Sequence, residues 1–258
     1  MIVNGRNCEL FLDFGNRLLA LPFSEETIRE DYQPKKHNPP IEGNDRITAV
    51  EGTSGTTGCF VTSLNADTAP FLLALALGKP TRFDIYQIRG TEKRNYPDCW
   101  VNGYELRIGR EQDIKLRLDV KGVEAPKPAI WNMEANPSMG KRFHGGDTEY
   151  IVDGLRRENI YGITLSTTMT EGVGTLIWIH RSMTVGEAFL RSLATLKVIA
   201  SIPGFGGWFR LHIENMMPVS DETRVDCADA VIGPIRYWVN GTISFEVAEE
   251  YSHFNGVA

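Results

Sequence analysis

The chain has 258 residues, of which 42% are hydrophobic and 23% are charged, a composition typical of a packed globular protein. The formal net charge of −6 and the lack of a clustered basic segment argue against a protein that clamps nucleic acid. The longest apolar run, residues 69–77, is far shorter than the roughly 18 residues of a membrane span, and the first residues lack a signal-peptide pattern.

Residues 21–50 form the first segment with a distinctive composition, because they are polar, rich in proline and carry both charge signs. A loop of this length in a compact domain is usually functional or disordered. We therefore predict a long loop, either an arm that reaches a neighbouring subunit or a flexible surface loop.

The stretch 51-EGTSGTTG-58 has the outline of a phosphate-binding loop. A phosphate loop needs a final Gly-Lys-Ser/Thr that opens a helix, whereas Cys59-Phe60-Val61 is an apolar, β-prone run without a lysine. We interpret 51–58 as a connector between strands, and 171-EGVG-174 as its counterpart later in the chain.

Two segments have the pattern of helices. Asn65 or Asp67 can cap a helix over 68–78, with proline in the first turn and Gly78 at the end. Residues 185–200 have a capping-box spacing and one apolar stripe, which predicts a second helix packed on a sheet.

Most of the remaining chain has the period of half-buried strands. Polar and apolar residues alternate over 113–120, 208–214 and 242–247. Asn-Gly or Asp-Gly follows a β-branched residue four times, a pattern that predicts hairpin turns. These four stretches are 2-IVNG-5, 100-WVNG-103, 151-IVDG-154 and 238-WVNG-241.

The order of these features indicates an internal duplication. In each half a turn is followed by Glu-Gly, a strand, a helix, further strands and Trp-Val-Asn-Gly, so that 100–103 matches 238–241. We predict one domain over 1–122 that includes the 21–50 loop, a proline-containing linker over 123–130, and a second domain over 131–258.

The sequence has no recognisable catalytic or metal-binding motif. None of the five histidines lies in a metal-ligand spacing, no Gly-x-Ser-x-Gly is present, and we expect no catalysis, metal or cofactor. The four cysteines are far apart, and free thiols are favoured over disulfides. Four of the five tryptophans, at positions 100, 178, 208 and 238, either line a sugar groove or pack within the fold or an interface.

The chain resembles the major tail tube proteins of long-tailed, siphovirus-type bacteriophages. The resemblance lies in 20-ALPFSEETIRE-30, in the strand, loop and helix pattern of 44–80, and in the closing strands of 100–122. The second half resembles a diverged copy that ends in 236-RYWVNGTISFEV-247.

This resemblance implies a mainly β fold, a β-sandwich or half-barrel with one flanking α-helix in each of two tandem tube domains. It also implies a virion protein, made in the host cytoplasm, whose rings stack into a tube through which double-stranded DNA passes as cargo. Two tube domains in one chain favour a trimeric ring with pseudo-hexameric symmetry over a hexamer. The partners are then further copies of the chain and other tail proteins, and no membrane. An acidic chain without a basic cluster suits a lumen along which DNA slides.

Two alternatives remain open at this point. One is another tail or baseplate ring protein of the same fold, and the other is a two-domain β-sandwich that binds carbohydrate or a receptor. For an assembly, the candidate contacts between subunits or rings are Phe23, Glu26, Arg29, Tyr32, Lys35, Lys36, Phe205 and Trp208.

Overall fold

The computed structural model describes residues 8–15, 17–36, 50–129, 140–168, 174–183, 194–221 and 231–248. These residues form seventeen β-strands and one α-helix, so the prediction of a mainly β protein is confirmed. The strands are antiparallel and linked into one large, bent sheet.

The strands of the first half precede residue 130. They are β1 (Cys8–Asp13), β2 (Leu18–Leu21), β3 (Phe23–Glu26), β4 (Arg29–Lys36), β5 (Val50–Ser63), β6 (Phe83–Arg89), β7 (Glu92–Gly109), β8 (Lys115–Gly122) and β9 (Lys127–Pro128). The helix α1 (Ala69–Leu77) lies between β5 and β6.

The second half begins with a short 3-10 turn at Gly145–Asp147. Its strands are β10 (Thr148–Val152), β11 (Leu155–Arg156), β12 (Ile160–Thr168), β13 (Gly174–Met183), β14 (Ala194–Ser201), β15 (Trp208–Asp221), β16 (Val231–Val239) and β17 (Ile243–Val247).

The two halves pair their strands in the same order. In the first half the order is β2, β1, β6, β7, β8 and β5. The strands β3 and β4 pair one after the other with the edge of β5 that faces away from β8. In the second half it is β11, β10, β14, β15, β16, β13 and β12. The last short strand of each half, β9 or β17, lies along the first part of the long strand β7 or β15. Each strand of one half thus has a counterpart in the other.

The long strands β7 and β15 each bend where one pairing partner gives way to another. On β7, Pro97 and Asp98 lie opposite a single residue of β6, and Asp98 has a φ of 49°. On β15, Glu214 and Asn215 lie opposite a single residue of β14, and Asn215 has a φ of 53°. An extra residue that bends a strand is a β-bulge, and here it occurs at equivalent places.

Two further bulges also recur at equivalent places. Asn102 is the extra residue of β7 opposite β8, as Val219 is of β15 opposite β16. Ser24 is the extra residue of β3 opposite β5, as Tyr161 is of β12 opposite β13. Three matched bulges fix the residue-by-residue equivalence of the halves.

This equivalence corrects the sequence match between the two Trp-Val-Asn-Gly stretches. Residues 100–103 run through the interior of β7 without a turn, and their counterparts are 217–220. Residues 238–241 lie where β16 gives way to β17. The hairpin predicted at 151–154 is confirmed, since Asp153 and Gly154 have φ of 48° and 79° between β10 and β11. Residues 2–5 lie outside the described residues.

The predicted helix over 185–200 is wrong for its last part. Residues 194–200 belong to β14, with Leu196, Val198 and Ala200 buried on one side. The same letters fit period two as well as a helical stripe, and pairing with β10 and β15 decides between them. Residues 185–193 lie outside the described residues, so one helix per half stays a prediction.

The predicted 21–50 loop is wrong over 23–36, which form β3 and β4 along β5. The glycine-rich 51–58 is likewise not a connector, because it lies inside β5. Its glycines let neighbouring strands approach: a Cβ at Gly55 would lie 2.7 Å from the Gly122 carbonyl oxygen. Residues 37–49 and 171–173 lie outside the described residues.

The first predicted helix is confirmed as α1. The Asn65 side-chain oxygen accepts hydrogen bonds from the backbone amides of Asp67 and Thr68, at 3.0 and 2.9 Å, and so serves the start of the helix. At its other end the amide of Gly78 donates to the Ala74 carbonyl. The buried face of α1 lies against β7 and β17, one strand from each half.

One hydrophobic cluster includes buried residues of both halves. Phe143 packs edge-on against Phe209, with ring centroids 4.9 Å apart, and its amide donates to the Leu64 carbonyl. Part of the predicted linker pairs with β7 as β9, although its side chains are largely exposed. The division into domains at 123–130 stays a prediction.

Two buried tyrosines give opposite expectations for removal of the hydroxyl. The Tyr96 hydroxyl lies 3.0 Å from Gln87 Oε1, whereas the Tyr150 hydroxyl has no hydrogen-bond partner among the described residues, and burial raises the pKa of Tyr150. We expect Tyr96→Phe to lower the free energy of unfolding by about 1 kcal/mol and Tyr150→Phe to leave it unchanged or raise it by about 1 kcal/mol. Urea unfolding of both variants measures this, and a loss at Tyr150 as large as at Tyr96 contradicts it.

Candidate interaction surfaces

The two halves meet at the antiparallel pair β7 and β12. Glu105–Gly109 lies opposite Gly162–Ser166. Leu106 faces Leu165, and both are buried, as are their neighbours across the junction, Ile108 and Ile163. The junction is therefore both a hydrogen-bonded ladder and part of the core.

Glycine permits the closest contacts of this junction. A Cβ at Gly162 would lie 2.4 Å from the Ile108 carbonyl oxygen, and one at Gly145 would lie 2.0 Å from that of Gly109. Just past the strands, the amide of Arg110 donates to the Tyr161 carbonyl at 2.9 Å. At these positions the backbones of the neighbouring segments are in direct contact, with no side chain between them.

This junction makes one continuous sheet of four strand positions from each half. Its order is β3 and β4, then β5, β8, β7, β12, β13, β16 and β15. One face contributes to the core. The other carries mainly polar side chains in the first half and forms a shallow groove of about 170 Å³ lined by Ser24, Glu25, Val61, Glu105, Arg107, Lys115 and Arg117.

Arginines on this exposed face are paired with carboxylates of the same strand. Arg117 Nε lies 2.9 Å from Asp119 Oδ1, a hydrogen bond that raises the pKa of Arg117. Arg107 forms an ion pair with Glu105. These pairs reduce the local positive charge that a polyanion would meet.

The predicted contacts at positions 23–36 lie on β3 and β4, at one end of the continuous sheet. Arg29 and Tyr32 are exposed, whereas Phe23 is partly buried against the core. Lys35 and Lys36 belong to β4 through their backbone pairing with β5.

Glu26 faces the interior and is held there. Its side chain is only 5% exposed, Oε2 lies 2.8 Å from Arg89 Nη2, and Oε1 accepts from the amide of Ile28. Burial is the largest single influence and opposes the charge on Arg89, but the hydrogen bond and the charge of Glu26, with smaller contributions from Tyr96 and Cys8, together raise the Arg89 pKa. Glu26 therefore anchors the corner between β3 and β4, and its side chain is not presented to a partner.

The other two predicted contacts lie at the turn before β15. Phe205 is exposed, and the Lys141 ammonium lies 4.8 Å from the centre of its ring. Trp208 starts β15, with the Arg210 guanidinium 5.1 Å from its ring. The structure does not place these residues on the strand edges formed by positions 23–36, so the eight candidates form two separate groups.

Sequence reasoning missed the other end of the continuous sheet. Met217 and Val219, in the last part of β15, are 42% and 44% exposed. The alternation that predicts the strand at 208–214 slips at the bulge after Ile213. That slip and the apolar run 216-MMPV-219 are the traces of this edge in the sequence.

Three of the four tryptophans predicted to line a groove or an interface have an arginine over one ring face. The guanidinium of Arg82 lies 4.2 Å from the ring centre of Trp100, and that of Arg236 lies 5.2 Å from Trp178; the third pair is Trp208 with Arg210. These contacts occupy surface that a sugar would need for stacking.

The titratable groups of the described residues form no cluster of three or more metal-ligating side chains. His180, on β13, has a pKa lowered by burial. Cys8, Cys59 and Cys99 are free thiols, and burial raises the pKa of Cys99 to about 12. Cys227 lies outside the described residues.

Among the helices that the structure describes, none has the length and apolar character needed to cross a membrane. No protein-family model matches the chain, and no curated protein matches it.

Proposed function

We propose that the chain is a structural virion protein, a subunit of the stacked rings that form the tail tube of a long-tailed bacteriophage. Each half is then one tube domain, a β-sandwich or half-barrel. The protein performs no catalysis and carries DNA only as cargo in its lumen.

The observation that supports this proposal is the repeated fold joined edge to edge. Both halves have the same strand order and three bulges at matched positions. The pairing of β7 with β12 continues the sheet from one half into the next. Units that join by their sheet edges cover those edges, and repeated joining of this kind builds a ring when the rotation between units closes. Since one chain supplies two units, three chains supply the six units of a pseudo-hexameric ring.

The exposed face of the continuous sheet suits a channel for DNA. Tight binding of DNA depends on unpaired basic groups that replace its counterions. Arg107 and Arg117 instead pair with Glu105 and Asp119. A lining of this kind holds a passing polyanion weakly.

Negative-stain electron microscopy and mass photometry of the full-length protein test the proposal. We expect rings or tubes with an open channel and particle masses in multiples of three chains. A monomer at every concentration counts against the tube function, and binding of a glycan by that monomer would favour the carbohydrate-binding alternative.

A further inference from the structure

We propose that Asn240 is a site of spontaneous deamidation, a modification that converts its side-chain amide into a carboxylate. The inference goes beyond the proposed function and does not depend on it. It rests on two copies of the tetrapeptide Trp-Val-Asn-Gly, at residues 100–103 and 238–241, which the fold places in opposite surroundings. Because the tetrapeptides are identical, a difference in reactivity between Asn102 and Asn240 reports those surroundings.

Deamidation at an Asn-Gly pair is an attack of the backbone on the side chain. The amide nitrogen of the glycine loses its proton to solvent and bonds to Cγ of the asparagine, and ammonia leaves from that carbon. Water then opens the resulting succinimide ring to aspartate or isoaspartate, so the reaction consumes water and needs no oxidant or reductant. Glycine favours the attack because it has no Cβ to obstruct the approach.

The second tetrapeptide ends in a turn that leaves this attack open. Asn240 and Gly241 are exposed and lie between β16 and β17. The amide of Asn240 donates to the Asn215 carbonyl at 3.1 Å. Within the described part of the chain, neither the Asn240 side chain nor the Gly241 amide has a hydrogen-bond partner. The attacking nitrogen and its target are therefore both accessible to solvent.

The first tetrapeptide is protected by its place inside β7. Gly103 is buried and lies opposite Asp119 of β8. On its other side, a Cβ at Gly103 would lie 3.3 Å from Thr167 Oγ1 of β12. The Gly103 nitrogen can reach the Asn102 side chain only if the main chain turns out of the sheet. Reaction at Asn102 therefore requires the neighbouring strands to separate, which costs free energy of local opening.

Deamidation at Asn240 is expected to weaken the attachment of the last described strand. Both products add a negative charge, and isoaspartate also lengthens the main chain by one carbon. Gly241 lies close to β15, since a Cβ on it would be 2.7 Å from the Glu214 carbonyl oxygen, and little room remains for a longer chain. The turn leads directly into β17, which pairs with β15 and contacts α1. We expect faster hydrogen exchange in β17 of the deamidated protein.

Mass spectrometry of the folded, full-length protein in water enriched in heavy oxygen tests the inference. Incorporated label identifies deamidation that occurs during the incubation, and fragment spectra locate it. We expect label to appear at least about tenfold faster at Asn240 than at Asn102, because only Asn102 needs local opening. The rate at Asn240 should rise with pH, because removal of the amide proton starts the reaction. The Asn-Gly pairs at 4–5 and 255–256 lie outside the described residues and are measured separately.

Two controls accompany this measurement. The same protein unfolded in urea gives both tetrapeptides similar surroundings, so we expect similar rates at Asn102 and Asn240. In the Asn240→Gln variant the longer side chain closes a ring more slowly. Label at position 240 should then fall while label at Asn102 is unchanged.

The pattern of rates decides the inference. Faster labelling at Asn240 in the folded protein, with similar rates at both sites after unfolding, supports it. Equal or slower labelling at Asn240 overturns it. Label at neither site until the chain is unfolded shows that the turn protects Asn240, and a rate difference that persists unchanged in urea shows that the fold is not its cause; either result overturns the inference.

Discussion

Gly162→Ala is expected to lower the free energy of unfolding by about 2–3 kcal/mol, as overpacking in a tight contact does. The added Cβ would lie 2.4 Å from the carbonyl oxygen of Ile108 and 3.1 Å from the Cα of Gly109. Both atoms belong to the backbone of β7, so the strands of the junction must separate to make room. The main chain of a paired strand cannot rotate away as a side chain can.

Gly109→Ala is the matched control, because Gly109 lies directly opposite Gly162. Its Cβ would meet Nε2 of Gln112 at 2.6 Å, the end of an exposed side chain that can rotate away. We expect a loss below about 1 kcal/mol. Urea unfolding followed by circular dichroism gives both values, and equal losses would show that the close backbone approach is not what limits position 162.

The same unfolding curves test how the two halves depend on each other. Because one hydrophobic cluster includes both halves, we expect a single transition that Gly162→Ala moves as a whole. Two separate transitions would instead support independent domains divided at 123–130.

Glu26→Ala is expected to lower the free energy of unfolding by about 2–3 kcal/mol. Loss of one member of a buried ion pair costs about 3–5 kcal/mol when the other charge stays buried. Here Arg89 is 39% exposed and retains access to water, which reduces the cost. The variant also deprives the amide of Ile28 of its acceptor.

Glu92→Ala is the control for this pair. Glu92 and Arg94 form an ion pair in which both side chains are about half exposed, at 55% and 42%. Exposed pairs of this kind contribute about 0–1 kcal/mol, so we expect a change below about 0.5 kcal/mol. A Glu26→Ala loss no larger than that of Glu92→Ala would refute the anchoring role of Glu26.

Local patterns predicted the elements that local interactions determine. In β8, Leu116, Leu118 and Val120 are buried as the alternation requires. The Asp153-Gly154 turn needs two positive φ angles, which these residues adopt readily. The helix α1 has its start and stop signals within a few residues of its ends.

The predictions were wrong where pairing with a strand that is distant in sequence determines the structure. Residues 23–36 have a polar composition that suits a loop, yet β5 offers them a strand to pair with. Residues 194–200 satisfy a helical stripe and a strand equally, and two neighbouring strands select the strand. Single-sequence periodicity carries no information about such partners.

The candidate surfaces were predictable only in part for the same reason. The length and polarity of the segment that contains Arg29 and Tyr32 indicated a candidate contact region. The junction of Leu106 with Leu165 joins residues far apart in sequence, and neither strand signals its neighbour. The bulges that define the repeat are properties of strand pairs and are not visible in a single strand's sequence. The two Trp-Val-Asn-Gly stretches gave a wrong alignment of the halves because they lie at different places in the pairing order.

The junction between β7 and β12 joins two different edges, the β7 edge of the first half and the β12 edge of the second half. Because the two edges differ, the junction has a direction. A contact that is repeated in this sense rotates each unit by the same angle relative to the last. When that angle divides a full turn evenly, the series closes into a ring. Otherwise it continues as an open helical filament. In an assembly built on this template, the rotation between the two halves of one chain determines the number of chains in the ring. That number is thus already determined within a single chain.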